Sequence, residues 1–368
     1  MKKMKIGIVG VGDISGIYLE NITNLFQEIE VIGVCDLIRE KAERAVEKYH
    51  IPKLYKDMYE LFADEEVDLV LNLTRPYEHF GVSSEALKAG KPVYSEKPLA
   101  ATLEEGKELV RLAEEKGLFL GGAPDTFLGA GIQTCRKLID DGYIGQPIGA
   151  AAFMICHGHE SWHPDPAFYY QHGGGPMMDM GPYYITALIN LLGGVKTVAG
   201  MTKASFPTRT ITSEPLNGTV VKVEVPTYVT GLMQFENGAT GTIFTTFDVH
   251  YDTQARLEIY GSKGTLIVPD PNGFGGPIKL LRPEQGGYME MPLTFPYKEN
   301  SRALGLADAA KSIAAGRVPR TSYKQTYHVL EVMQSFQKSS EEEKFVEIQS
   351  KFTREAPMRD DLLKGVLD

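Results

Sequence analysis

Met4-Lys-Ile-Gly-Ile-Val-Gly-Val-Gly-Asp-Ile-Ser15 is the stretch whose reading decides the fold. A short β-rich run over 4–9 ends in Gly10-Val-Gly12-Asp13-Ile14-Ser15, and helical apolar spacing follows from 14 to 26. Glycines in the first and third places permit a tight bend and let a pyrophosphate approach the amides of a helix N-terminus. Ser15 stands in the sixth place, where glycine or alanine is usual, and is still small enough for helix to meet strand. Asp36 ends a second strand over 30–35, 21 residues after Ser15. An acid there accepts hydrogen bonds from ribose hydroxyls and repels a 2′-phosphate, which favours NAD over NADP. Arg39 keeps NADP in view, and a helix N-cap is the competing role for Asp36. Gly10, Gly12, Asp13, Ile14 and Asp36 are the expected cofactor contacts of this half.

Working outward, strand and helix alternate. A charged amphipathic helix spans 39–49, and a buried apolar strand spans 67–73. Thr74, Pro76 and His79 follow that strand and are expected to line the cofactor, against a plain helix start there. The next helix runs through Ala89 and is stopped by Gly90; a strand at 92–94 follows. Glu96-Lys97-Pro98 lies just past it, at the carboxyl edge where open parallel sheets bind ligands. Pro98 fixes its own φ, removes a donor and pushes Lys97 out of the helical region. Thr102 and Glu105 make a capping-box pattern for a helix over 102–116, ended by Gly117, and a last strand covers 118–121. This alternation predicts parallel pairing with right-handed crossovers: an α/β chain whose residues 1–123 form a doubly wound Rossmann domain.

After residue 123 the texture changes. A helix over 131–140, a strand over 148–156, a Gly/Pro/His-rich loop and a helix over 183–192 lead into mostly strand pattern from 220 to 268. Asn237-Gly238 and Gly261-Ser-Lys-Gly264 mark hairpins. Residues 124–368 are therefore expected to form an α+β substrate-binding domain around a large, open, mainly antiparallel sheet. Helices over 308–315 and 327–339 close it, and the charged tail from 341 packs back on the first domain or frays.

Composition narrows the function classes. The 368 residues carry a formal net charge of −10, which argues against a nucleic-acid surface. Three scattered cysteines point to reduced thiols and a cytoplasmic setting. The apolar N-terminal run is too short for a signal peptide, and no run approaches a membrane span.

A second constellation is Gly173-Gly-Gly-Pro-Met-Met-Asp179-Met-Gly-Pro-Tyr183-Tyr184. Asp179 and Tyr183 share a helix face if the helix begins by Asp179. A phenol near an ammonium exchanges a proton with a hydroxyl more readily. On pattern alone, Asp179 as an N-cap and Tyr183 as core is the stronger reading.

Taken together, GVGDIS at 10–15, AGKPVYSEKPLA at 89–100 and GGGPMMDMGPYY at 173–184 resemble the glucose-fructose oxidoreductase / inositol dehydrogenase / rhizopine-catabolism (Gfo/Idh/MocA) family. The resemblance implies hydride transfer between NAD(P) and a hydroxyl or ketone carbon of a sugar or polyol. It implies a homodimer or homotetramer built through the second sheet. It makes Lys97 the catalytic lysine bonded to the reacting oxygen, sets Glu96 beside the cofactor, and has Asp179 bind a substrate hydroxyl or orient the acid/base. Many members have histidine four residues after that aspartate; Tyr183 stands there in this chain, which resembles the tyrosine acid/base branch.

The loop His157-Gly-His159-Glu160-Ser-Trp162-His163-Pro-Asp165 holds the only tryptophan. A metal cluster of His157, His159, His163 and Asp165 with His172 matches no ligand spacing, so no metal is expected. Trp162 and His163 are expected to position substrate, against a role confined to shaping the loop. Two other activities fit the same fold: glycosidic cleavage by transient oxidation with tightly held NAD, and nucleotide-dependent regulation without chemistry.

Overall fold

The computed structural model describes residues 2–250 and 256–368. Part of the expected strand region, residues 251–255, lies outside the described residues. The chain divides into two compact units, one of residues 1–129, 295–327 and 355–368, the other of 130–294 and 328–354.

In the first unit, β1 (Met4–Val9), β2 (Ile29–Cys35), β3 (Lys53–Leu54), β4 (Leu69–Asn72), β5 (Val93–Ser95) and β6 (Leu120–Gly122) form one sheet ordered β3-β2-β1-β4-β5-β6. Its pairs are parallel, and the order reverses between β1 and β4. Helices α1 (Ser15–Asn24), α2 (Arg39–Tyr49), α3 (Met58–Ala63), α4 (His79–Lys88) and α5 (Leu103–Lys116) make the crossovers. Their ends follow local chemistry. Thr102 and Glu105 close a full capping box on α5, a contact of about 1 kcal/mol. Gly117 leaves that helix at φ +63°, a conformation glycine adopts without steric cost.

Two segments return to this unit beyond the expected boundary at 123. Residues 295–327 include α8 (Leu304–Ala315). The fully buried Asp308 explains why the terminus follows: it accepts from Arg317 at 2.7 Å and from Arg320, and Arg320 donates on to Asp368 Oδ2 at 2.8 Å. A buried arginine needs such carboxylates, so residues 355–368 are drawn in.

The second unit is built on a nine-stranded mixed sheet. Its strands are β7 (Pro147–Ile155), β8 (Val195–Lys203), β11 (Tyr228–Phe235), β12 (Thr240–Thr246), β13 (Arg256–Gly261), β14 (Gly264–Val268), β15 (Ile278–Leu281), β16 (Met289–Met291) and β17 (Val346–Glu347). They run in the order β16-β15-β14-β13-β7-β12-β11-β8-β17. The pair β12·β7 is parallel and the other pairs are antiparallel. Both expected hairpins form, β11 to β12 through Gly238 and β13 to β14 through 262–263. A separate two-stranded ribbon joins β9 (Thr208–Thr210) to β10 (Val220–Lys222).

Helices α6 (Ala130–Asp140), α7 (Pro176–Leu192) and the later part of α9 (Tyr323–Glu342) complete this unit. Gly200 and Gly231 let Phe336 of α9 lie against the sheet; a Cβ at either would strike it. On the other face, side chains of Phe153, Met201, Tyr228, Leu232 and Phe244 share one side by register, with Met201 and Leu232 exposed. No helix of the described residues is long and apolar enough to cross a membrane.

Candidate functional site

In the first unit the residues expected at a dinucleotide gather at the carboxyl edge of the sheet. Gly10 has φ +91°, and a Cβ there would meet the Leu73 backbone at 3.0 Å. A Cβ on Gly12 would enter open space, the room a pyrophosphate needs. No side chain caps α1; Ser15 N–H donates to Gly12 O at 3.0 Å, and the amides after it face where a ligand would sit. Asp36 directly follows β2: Oδ2 accepts from Val11 N–H and Oδ1 from Ile38 N–H, both at 2.8 Å. It grips the glycine turn and retains lone pairs for ribose hydroxyls. It does not cap α2. Arg39 pairs with Glu43 at 2.9 Å on its own helix. Exposed Leu37 and Ile38 beside Asp36 give a flat base an apolar seat that sequence reasoning passed over. Asp13 and Ile14 are exposed, Thr74 and Pro76 half-buried. These residues fit a dinucleotide.

Two expected contacts turn inward instead. His79 is fully buried: its Nδ1 lies 2.7 Å from Pro98 O and its Nε2 3.0 Å from Thr74 O. Burial pushes its pKa down, against the two facing carbonyls, and in the neutral ring one nitrogen donates its N–H to one of them. His79 therefore ties the strand-end loop to the Lys97-Pro98 loop and presents no surface to a cofactor. Glu96 is 8 % exposed, and both its oxygens are engaged. Oε1 accepts from Tyr18 Oη at 2.6 Å and Oε2 from Lys97 N–H at 2.9 Å. Burial and the neighbouring Glu96 charge push the Tyr18 phenol well up, so it is a standing donor. Glu96 thus fixes the backbone of the half-buried Lys97 rather than facing a ligand. Asp125, almost fully buried, accepts from Gly305 N–H at 3.0 Å, and burial raises its pKa to about 6.

In the second unit α7 begins at Pro176, seven residues before the expected start at 183. Asp179 is therefore in the first turn, not an N-cap, and Tyr183 lies one turn on along the same face. Pro182 inside the helix misled the sequence reading, which took it for a helix start. Asp179 Oδ2 lies 3.4 Å from His159 Nε2. Around His159 stand Tyr169 at 4.1 Å, Phe247 at 4.7 Å and Trp162 at 5.2 Å between ring centroids. Trp162 is 61 % exposed and His163 half-buried, with His163 Nδ1 accepting from Asp165 N–H at 3.0 Å. Indole, phenol and imidazole edges beside a carboxylate suit a molecule with C–H faces and hydroxyls.

The loop is held from outside the motif. Arg209 of β9, 6 % exposed, donates to Glu160, to Asp248 Oδ1 at 3.1 Å, and to the carbonyls of His157 at 2.8 Å and Phe247 at 3.1 Å. Gly158 at φ +82° makes room for Glu160, Tyr170 and Arg209. The histidines disperse: His157 stacks on His250 at 3.5 Å and His159 faces Asp179. Among the described residues no three metal-ligating side chains converge. Arg209, Tyr169 and Phe247 have no local motif, so only the fold reveals them.

The class these features define is a nucleotide-binding α/β protein of an oxidoreductase family. Residues 4–122 match the family profile described as oxidoreductase family, NAD-binding Rossmann fold, and residues 132–267 that of the GFO/IDH/MocA C-terminal domain. The chain belongs to the Gfo/Idh/MocA family. It is 33% identical over 148 residues to the inositol 2-dehydrogenase of Salmonella typhimurium, covering 39% of this chain and 44% of that relative's length. It is 23% identical over 360 residues to the myo-inositol 2-dehydrogenase of Thermotoga maritima, covering 94% and 99%. The fold matches levoglucosan dehydrogenase in complex with NADH and L-sorbose at a TM-score of 0.81, with 20% identity over 95% of this chain and 100% of the other.

Proposed function

We propose that this protein is an NAD-dependent dehydrogenase or reductase of a sugar or polyol. NAD, when bound, supplies the hydride acceptor. Gly10, Gly12 and the α1 amides would hold its phosphates and Asp36 its ribose. Lys97, fixed by Glu96, steadies the reacting oxygen as charge develops on it. Tyr183 is the proton carrier, of the tyrosine branch, and Asp179 with Trp162 and His163 positions the hydroxyls. The observation that carries the reading is the dinucleotide-fitting edge of the first unit, where Gly10, Gly12 and Asp36 stand at strand ends and Glu96 fixes the backbone of Lys97.

The relatives' names support a polyol: two act on inositols, and the fold neighbour was solved with L-sorbose. A homodimer or homotetramer would cover the apolar outer face that carries Met201, Leu232 and Phe244. The setting is cytoplasmic on its scattered thiols, of which Cys156 is pushed by burial to about 11 and so stays protonated. The test is NADH formation at 340 nm across sugars and cyclitols. Lys97→Ala and Tyr183→Phe are expected to lower kcat by at least about 100-fold while NADH binding stays within threefold. Near-normal rates in both would remove the proposed roles.

A further inference from the structure

Asp179 shares a helix face with Tyr183 and faces His159. Tyr183 is one helical turn away on α7, and the His159 imidazole approaches from the loop that α7 does not contain, with Nε2 3.4 Å from Asp179 Oδ2. That nitrogen is buried and, among the described residues, has no hydrogen-bond partner. A contact of this length is ordinary for a proton-transfer pair before substrate binds, since such pairs tighten only in the reacting complex. His159 is packed by Tyr169 from the turn at 167–170, by Phe247 after β12 and by Trp162 of its own loop. Glu160 and Asp248 are engaged by Arg209. Asp179 is thus the carboxylate His159 faces, and a carboxylate that orients one ring nitrogen leaves the other to exchange protons.

We propose that His159 is the outlet of a proton relay for the hydroxyl-oxidising reaction, an inference that rests on the reading of the previous subsection. When a CH–OH carbon is oxidised, its C–H electron pair leaves as hydride to oxidised nicotinamide and the C–O bond becomes C=O. The O–H proton passes to Tyr183, by way of Asp179 to the His159 imidazole, and from the imidazolium to water. In reduction the same proton runs inward. Tyr183 meets the substrate in this scheme, and His159 acts through Asp179.

The test has two arms. In the first, His159→Ala is assayed with the best polyol found for the wild type. We expect kcat to fall at least about 30-fold with KM within threefold, and added imidazole to restore much of the loss, since a diffusing base replaces the missing outlet. In the second, on protein without cofactor, the 15N signals of His159 are assigned by their loss in His159→Gln. They should move in Asp179→Asn while those of the other histidines stay. An active wild type whose His159→Ala variant keeps its kcat, or loses it with no response to imidazole, overturns the relay alone. Unmoved His159 signals in Asp179→Asn overturn it as well, whatever the activity. A wild type inactive on every polyol overturns the reading beneath it. Should His159→Ala lose NADH binding through misfolding, His159→Gln takes its place in the rate assay.

Discussion

Asp125 offers a sharp test of how the cofactor edge is built. Its carboxyl is almost fully buried, accepts one backbone N–H from Gly305, and is raised from its ordinary 3.8 to about 6, chiefly by burial. The Glu96 charge adds to that rise and Arg302 opposes it. A folded value above the unfolded one means the group stabilises at low pH. The contribution is full below about 3.8 and lost as pH rises through about 6. The difference of roughly two units corresponds to about 3 kcal/mol. About 2 kcal/mol of it is present at pH 4.5 and almost none at pH 8. In Asp125→Asn the amide oxygen keeps the Gly305 bond and the titration disappears. The stability of the variant relative to wild type should therefore rise by about 2 kcal/mol from pH 4.5 to pH 8, whatever constant cost its new amide hydrogens bring. Urea unfolding read by pulsed hydrogen exchange on peptides spanning Val93–Ser95 and Leu120–Gly122 confines the measurement to the first unit. A change below about 0.5 kcal/mol across that range would refute the buried, desolvated state of Asp125.

Other outcomes follow from neighbouring contacts. Tyr18→Phe keeps the ring and deletes one hydrogen bond to the Glu96 carboxylate, so the first unit should lose about 2 kcal/mol in urea titration. NADH affinity should stay within about twofold while kcat falls as Lys97 loosens, and unchanged kcat would sever Glu96 from Lys97 positioning. Arg209→Met leaves Glu160 and Asp248 without their cation, a loss of about 3 kcal/mol in the second unit. The fluorescence of Trp162, the only tryptophan, reports that loop directly, and a loss below about 1 kcal/mol would show that Arg209 does not hold it.

Much of the fold was legible because its signals are local. The strand at Met4–Val9, the helix Arg39–Tyr49, the capping box of α5 and the hairpins at Gly238 and 262–263 each rest on residues within one turn or one bend. Short strands such as Lys53–Leu54 and Val346–Glu347 carry too little pattern to be read, because pairing with neighbours defines them. The site divides in the same way. Gly10, Gly12, Asp36 and Lys97 stand just past strand ends, where the alternation of strand and helix puts them. Glu96 and His79 lie at the same edge, but their side chains are buried, and burial is set by what packs above them.

By itself the sequence determined that a parallel nucleotide-binding sheet opens the chain, that Lys97 stands at its carboxyl edge, and that Asp179 and Tyr183 belong near one another. Backbone preference, periodicity and turn chemistry suffice for that. Only the tertiary structure decided that Tyr18 and Glu96 brace Lys97, that residues 355–368 return to the first unit, that Arg209 anchors the aromatic loop, and that His159 faces Asp179. Apart from Glu96 and its neighbour Lys97, those arrangements join residues 20 or more positions apart. No local rule encodes them; they arise because buried charges and donors must find partners wherever the packed chain brings them.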